Sequence, residues 1–527
     1  MPFLLRNLAL NPEEGEDQLK DLLLARFSLT PHEVVSFRIV RKALDARKKT
    51  HIKFIHTVEF ALVDEEGFRA RHGQDDDVEM IPAKRSSPFP KIAAKRRIVI
   101  VGMGPAGLFA GLRLLEYGLL PTILERGRPV AERVRDIAAF WRNGVLDAES
   151  NVQFGEGGAG TFSDGKLTTR IRDANTGYVL ESLVRFGAPG DILFLAKPHV
   201  GTDRLRRVIV NIRGHLAEHG LSIRFGEKVT DLVSKNGRLV SVIVNGSREE
   251  PCDMLILAPG NSARDTFAML GERGVRLEAK PFAVGVRVEH PQQLINRIQY
   301  GAGEHPRLPP ADYALTWNDR RTGRCAYSFC MCPGGEVVAA ASEEGGVVTN
   351  GMSDYRRGSP YANSALVVNV RVGDFPADSP LAGIEFQRAL ERRAFAAGGS
   401  DYRAPAQNLM AFLEGKGRCR IASTYRAGVR EADLGRLLPA FVTDTLRDGV
   451  RGFDRKMRGF ITDEATLTGV ETRTSSPLRI VRGEDFQSLT MKGLYPVGEG
   501  AGYAGGIMSS ALDGIRVADA IAQTFIQ

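Results

Sequence analysis

Residues 96–111, R-R-I-V-I-V-G-M-G-P-A-G-L-F-A-G, and the closing segment 121–126, P-T-I-L-E-R, decide the fold of this chain. Ile98–Val101 is a short apolar run, as a parallel strand covered on both faces requires. Gly102, Gly104 and Gly107 follow in G-x-G-x-x-G spacing, with Pro105 and Ala106 in the same turn. A helix then leads to a second apolar strand that ends at Glu125, next to Arg126. Glycines at these positions let backbone N–H groups and a helix N-terminus approach a pyrophosphate, and the acid is placed to read a ribose hydroxyl. The G-x-G-x-x-G spacing alone is weak; strand, turn, helix, strand and acid in this order define a dinucleotide site. The expectation is an α/β chain with a Rossmann-like domain.

Working outward, 527 residues exceed one ordinary core and predict two or three domains. Hydrophobic content of 43% and charged content of 25% are those of a globular protein rather than a disordered or membrane chain. The net charge of +8 is spread along the sequence and is by itself a weak argument for nucleic acid. The five cysteines, Cys252, Cys325, Cys330, Cys332 and Cys419, are sparse and odd in number, which argues against a disulfide framework and suits a reducing, cytoplasmic setting. The first residues carry no basic region ahead of a long apolar core, and no apolar run is long enough to span a membrane.

Residues 1–63 read as a small α+β module: strands at Phe3–Leu10, Val34–Val40 and His51–Val63, and a helix over Asp17–Phe27. Arg38–Lys53 holds seven basic residues and one acid, either a solvated hairpin or a surface for phosphate, RNA or a partner. Residues 64–96, with D-D-D and S-S-P-F-P, read as a linker. The dinucleotide-binding domain is expected over 97–279 and again over 486–527, with an inserted α+β cap and substrate domain over 280–485. Helices are expected at Val130–Trp141 and Asp203–His219, the latter capped by Thr202 or Asp203. Strands are expected at Leu221–Asp231, which carries Val229 as a cofactor contact, and at Leu239–Val244, Met254–Pro259 and Gly493–Val497.

Three segments favour FAD as the dinucleotide. C-D-M-L-I-L-A-P-G (252–260) resembles the late strand of FAD-binding Rossmann domains, an apolar strand running into Gly260 close to the cofactor. Residues 493–510, G-L-Y-P-V-G-E-G-A-G-Y-A-G-G-I-M-S-S, resemble the closing FAD motif of flavoproteins, with Gly498 and Glu499 at the strand end and a helix beginning near Gly506 and Ile507. That helix would bring its partial positive charge to the flavin edge where negative charge gathers on reduction. F-G-E-G-G-A-G-T-F-S-D-G-K-L (154–167) contains another G-x-G-x-x-G, but no strand precedes it and no helical pattern follows. A loop laid against the cofactor through Gly157 and Gly158 fits better than a second Rossmann unit.

Residues 154–167, together with K-P-H-V-G-T-D (197–203), K-P-F-A-V-G-V-R-V-E-H (280–290), F-C-M-C-P-G-G (329–335), N-S-A-L-V-V (363–368) and G-V-E-T-R-T-S-S-P-L-R-I (469–480), resemble the bacterial family of uncharacterised FAD-dependent dehydrogenases. The resemblance covers nearly the whole chain. It implies FAD, an FAD domain like that of glutathione reductase and an oxidoreductase activity; it supplies no substrate.

Catalytic candidates are then sought where the inserted domain would cover the flavin, which itself does the redox chemistry. Arg473, beside Thr474, Ser475 and Ser476, would clamp a carboxylate or phosphate of a small anionic substrate, or else pair with Glu471 or bond a loop carbonyl. His199 is either a general acid–base or a residue filling a turn. Lys166, with Asp164, is either a cation near the flavin or part of a solvent-facing turn. Cys330 and Cys332, a C-x-C pair, lack the spacing of a metal site; they read as a redox dithiol or as buried thiols. Trp141 is expected in a core, and Tyr361 and Tyr503 as stacking candidates. NAD(P)H is a candidate transient electron donor, although no second nucleotide fingerprint is visible. Rival readings are a flavin-dependent nucleic-acid-modifying enzyme that grips RNA through the basic hairpin, and a non-catalytic or redox-sensing flavoprotein.

Overall fold

The computed structural model describes residues 1–82, 88–93, 96–169, 171–415 and 421–526. Ile98–Val101 forms the centre of a five-stranded parallel sheet, ordered Leu494–Pro496, Met254–Leu257, Ile98–Val101, Thr122–Glu125 and Ser222–Phe225. Alternation along each strand covers both faces. Ile98, Ile100, Ile123, Met254 and Ile256 pack on Leu108, Ile209, Ile212, Leu512 and Ile515 of the helices Pro105–Glu116, Thr202–Glu218 and Ile507–Ile526. Val99, Leu124, Leu255 and Leu257 face the other way, onto Leu232, Val242 and Val244 of a three-stranded antiparallel sheet. Each fully buried Leu or Ile in such a layer contributes about 2 kcal/mol. The first and last helices approach closely because Gly514 faces Ala106, where an added Cβ would lie 2.2 Å from the Ala106 carbonyl.

The expected elements recur with local differences. The strand expected over Leu221–Asp231 is two strands, Ser222–Phe225 in the parallel sheet and Val229–Lys235 in the antiparallel one. Gly226, at φ +69°, turns the chain between them. The helix Thr202–Glu218 has no side-chain cap. Instead the Thr202 hydroxyl donates to the Thr161 carbonyl, and the Asp203 carboxylate accepts from Tyr355 N–H.

The N-terminal sheet is antiparallel, ordered Val34–Asp45, Lys53–Leu62, Phe3–Leu10 and Val78–Met80, over a core of Phe3, Leu5, Leu19, Leu23, Phe60 and Phe68. Segment 64–96, expected as a linker, therefore contributes a helix, Glu65–His72, and the strand Val78–Met80 to this module. The basic hairpin is partly neutralised: Arg38 pairs with Glu59, Lys42 with Glu16 and Arg47 with Asp45. Its Lys42 backbone also bonds to Phe194 and Ala196, which ties the module to the nucleotide-binding body.

Between Phe282 and Glu471 the chain builds a seven-stranded mixed sheet, ordered Thr316–Asn318, Cys325–Cys332, Tyr361–Val370, Phe282–Pro291, Thr466–Glu471, Ala404–Asn408 and Val429–Glu431. The helix Ala440–Lys456 contributes Val442, Leu446, Val450 and Phe453 to the core beneath this sheet. Trp141 joins the same core, its indole N–H donating to the Ala339 carbonyl at 2.9 Å. No described helix is long and apolar enough to cross a membrane.

Candidate functional site

A cavity of about 440 Å3 runs from the C-terminal ends of the parallel strands to the mixed sheet. This is the edge of an open α/β sheet where ligands are expected to bind. Gly102, Gly104, Pro105 and Ala106 line one wall. Gly102 has φ +94°, and a Cβ there would lie 2.2 Å from the Ala258 carbonyl, so a tight turn at this position requires glycine. Gly107 does not line the cavity; a Cβ on it would lie 2.0 Å from the Gly102 carbonyl, so it seats the helix on the strand.

Glu125 lines the cavity, and its buried carboxylate accepts backbone N–H bonds from Met103, Gly127 and Gly155. Arg126 lies beside it, held by Glu149 and Asp265 and stacked over Phe154 at 4.0 Å. Val229, Gly260 and Gly158 also line the wall. Gly157 does not; its N–H donates to the Met103 carbonyl and fixes the loop instead. The side chain that shapes this loop is Arg133, fully buried, donating to the carbonyls of Asn151, Val152, Gly155 and Glu156. Burial pulls its pKa down to about 9. It lies in a helix whose polar residues read as surface, so the sequence carried no signal for it.

Gly498, Glu499, Gly506 and Ile507 close the wall, and the last helix starts at Ile507 as expected. Thus two helix N-termini, at Pro105 and at Ile507, present free N–H groups along the same cavity. Burial pushes the Glu499 carboxyl up to about 7; its oxygen accepts from Asn261 Nδ2 at 2.8 Å.

The far end is walled by the mixed sheet and by the end of the glycine loop: Ser163, Asp164, Lys166, Phe329, Cys330, Asn350, Glu471 and Arg473. Lys166 Nζ lies 3.2 Å from Asp164 and 3.6 Å from Cys332 Sγ, and the acid and thiols around it raise its pKa despite burial. Arg473 reaches the cavity but is not a free clamp. It pairs with buried Glu391 at 3.0 Å and not with Glu471, and Glu391 is shared with Arg264 at 2.7 Å. Glu471 pairs with Arg287, which is fully buried and also bonds Asn363.

His199 lies outside the cavity. Its ring stacks on Tyr355 and its Nε2 is 3.0 Å from the Tyr355 carbonyl, while its backbone pairs with Lys166, and burial lowers its pKa. It fills a turn, and the expectation of a general acid–base there is not met by its position. Tyr361 and Tyr503 do not reach the cavity either; the Tyr503 hydroxyl accepts from Arg482 N–H. Cys419 lies outside the described residues. Among the described residues no cluster of three or more His, Cys, Asp or Glu could hold a metal.

The cavity has the bare-backbone lining of a dinucleotide site. Gly260, Gly505 and Gly506 have no atom within 4 Å of an added Cβ, and an added Cβ on Gly104 meets only Gly158, so side chains here would fill space that bare backbone leaves for a ligand. A nucleotide-binding α/β protein is thereby defined. The chain also matches a family model described as FAD-dependent protein, C-terminal domain-like, over residues 281–474, and a domain of unknown function (DUF8436) over 4–61. It is 44% identical over 530 residues to an uncharacterised protein of Clostridium beijerinckii, covering 100% of this chain and 99% of that one. The chain belongs to this family of FAD-dependent proteins. Solved structures that it resembles at lower similarity include CtdE in complex with FAD (10% identity, 82% of this chain, 84% of that chain, TM-score 0.35). The flavin-dependent brominase Bmp2 (15%, 82% and 79%, TM-score 0.37) is another. So is the open conformation of a flavocytochrome c3 fumarate reductase (11%, 82% and 82%, TM-score 0.35).

Proposed function

We propose that the chain is an FAD-dependent oxidoreductase that holds FAD along this cavity. Glu125 would hold the adenosine ribose, the glycines and the Pro105 helix would hold the pyrophosphate, and the mixed sheet would cover the isoalloxazine. Support comes above all from continuity: one cavity joins the G-x-G-x-x-G turn, both helix N-termini and a charged wall of the second domain. FAD, when bound, supplies the electron-accepting ring. The chain's own part is to neutralise pyrophosphate with backbone N–H groups, to place the Ile507 helix N-terminus toward developing negative charge, and to cover the ring with the mixed sheet. The substrate is a small molecule that enters at the mixed-sheet end of the cavity, beside the Lys166–Asp164 pair. Arg473 and Arg264 are matched there by Glu391 and Glu343 and hold the wall rather than a ligand. NAD(P)H is the candidate electron donor; among the described residues no second parallel nucleotide sheet accompanies the first.

The test is spectroscopic. Purified protein is expected to be yellow, to release FAD on denaturation and to undergo reversible reduction and reoxidation. Colourless protein that also refuses added FAD overturns the proposal, and bound FAD that cannot be reduced and reoxidised leaves a structural flavoprotein.

A further inference from the structure

We propose that Cys330 and Cys332 form a redox-active dithiol at the mixed-sheet end of the cavity and exchange an electron pair with bound FAD. The inference rests on the FAD reading above. Of the four described cysteines, only Cys330 lines the cavity, whereas Cys332 is fully buried behind it.

In a regular strand, residues i and i+2 share a face but stand about 6.6 Å apart along the chain, at the outer limit for a disulfide. This strand is not regular there. Phe329 pairs with Ala365 and Cys332 with Asn363, so three steps on one strand match two on its neighbour. The extra residue is a β-bulge, which bends the strand and re-aims side chains. Cys330 takes φ +46°, a backbone conformation costly for any residue but glycine. The bulge carbonyl of Cys330 is held by Arg287 Nη1 at 3.2 Å and by Cys332 Sγ at 3.3 Å, so the bulge folds the Cys332 side chain back toward Cys330.

The surroundings favour one thiolate in the pair. Lys166 Nζ lies 3.6 Å from Cys332 Sγ, and Arg287 sits behind the bulge. The neighbouring Cys332 thiol, then the charges of Lys166 and Arg287, draw the Cys330 thiol well below its ordinary range; the Cys330 neighbour and burial push Cys332 up. A cavity-facing thiolate backed by a protonated partner is the arrangement of an attacking and a resolving cysteine.

The exchange balances without another reactant. Starting from the Cys330 thiolate and the Cys332 thiol, the Sγ–Sγ bond forms and the S–H bond of Cys332 breaks. The electron pair and that proton together convert oxidised FAD to its anionic reduced form. The reverse step regenerates the thiolate and thiol.

The test is an anaerobic reductive titration of air-oxidised holoprotein with dithionite, with mass mapping of the cysteines after alkylation in denaturant. Wild type is expected to take up about two electron pairs per FAD, and Cys330→Ser and Cys332→Ala about one. The peptide carrying both cysteines is expected to resist alkylation and to weigh roughly two mass units less in the oxidised form. Holoprotein that carries FAD but takes up a single pair, with both cysteines alkylated after air oxidation, overturns the dithiol and leaves the flavin reading intact. Protein that releases no FAD on denaturation overturns the flavin reading and the inference with it. The wild-type titration and mass readout stand even if a variant fails to fold.

Discussion

Replacing Glu499 by Gln should make the cofactor-free protein more stable, and only above acidic pH. The Glu499 carboxyl is half-buried at the strand end, with one clear donor, Asn261. Burial raises its pKa from 4.5 to about 7. The folded state therefore holds a proton on Glu499 that the unfolded state has already released. Below pH 4.5 both states are protonated and the group contributes nothing. Between 4.5 and 7 the folded state loses ground as pH rises, and above 7 the penalty is complete, at about 3 kcal/mol. The amide of Glu499→Gln has nearly the same shape and no charge to desolvate. Urea unfolding of the FAD-free wild type and variant, from pH 4 to 8, should give coincident stabilities at pH 4 and a difference growing to about 3 kcal/mol in favour of the variant at pH 8. Taking the difference cancels other buried acids, such as Glu471 and Glu289, whose pKa values burial also raises. A difference that is flat across this range, or that grows toward acid, refutes the reasoning.

Three further outcomes are expected. Gly102→Ala puts a Cβ 2.2 Å from the Ala258 carbonyl at a φ of +94°, so the purified variant should carry little or no FAD by its absorbance ratio; full flavin content would count against the turn as the pyrophosphate cradle. Arg287→Met leaves Glu471 buried without its cation, to be held charged or protonated at a cost, and should cost about 4 kcal/mol by urea denaturation, with Arg287→Met/Glu471→Leu recovering most of it. Equal loss in single and double variants would show that packing, not charge pairing, matters there. Arg47→Glu with Lys48→Glu and Lys49→Glu changes only the exposed tip of the N-terminal hairpin, so flavin content should hold and stability should stay within about 0.5 kcal/mol. RNA retention that vanishes in this variant and weakens with salt would instead mark the hairpin as a nucleic-acid grip.

What the sequence made legible was what backbone spacing encodes locally. The turn at Gly102–Gly107, the strand ending at Glu125 and the helix beginning at Ile507 each depend on residues within one turn or strand of each other. Glycine at a left-handed φ and an apolar run before it have few other uses, so these letters map onto geometry almost one to one. His199 shows the opposite case. The turn at 197–203 is real, but which way an imidazole points depends on Tyr355, more than a hundred residues away. The segment 64–96 misled for a related reason: Val78–Met80 is too short and too polar around it to read as a strand, and only the free edge of Phe3–Leu10 makes it one.

The mixed-sheet end of the cavity was hidden because its chemistry is set by register. Arg287 stands opposite Ala365 on one neighbouring strand and Thr468 on the other. Its partners Asn363 and Glu471 lie near the diagonal positions, which a long side chain reaches across a sheet. Sliding either strand by one residue would turn the arginine or the acid to the opposite face and leave a buried charge alone, which costs several kcal/mol. The ion pair and the strand register therefore select each other. Once both are fixed, the bulge at Cys330 has a reason to persist, since Arg287 bonds its carbonyl and the strain of φ +46° is carried by a network already in place. Arg473 follows the same logic one strand further along: its guanidinium is held by Glu391 of the helix Ala382–Gly398, so the cation read from the sequence as a clamp or a partner of Glu471 serves to lock that helix against the cavity wall.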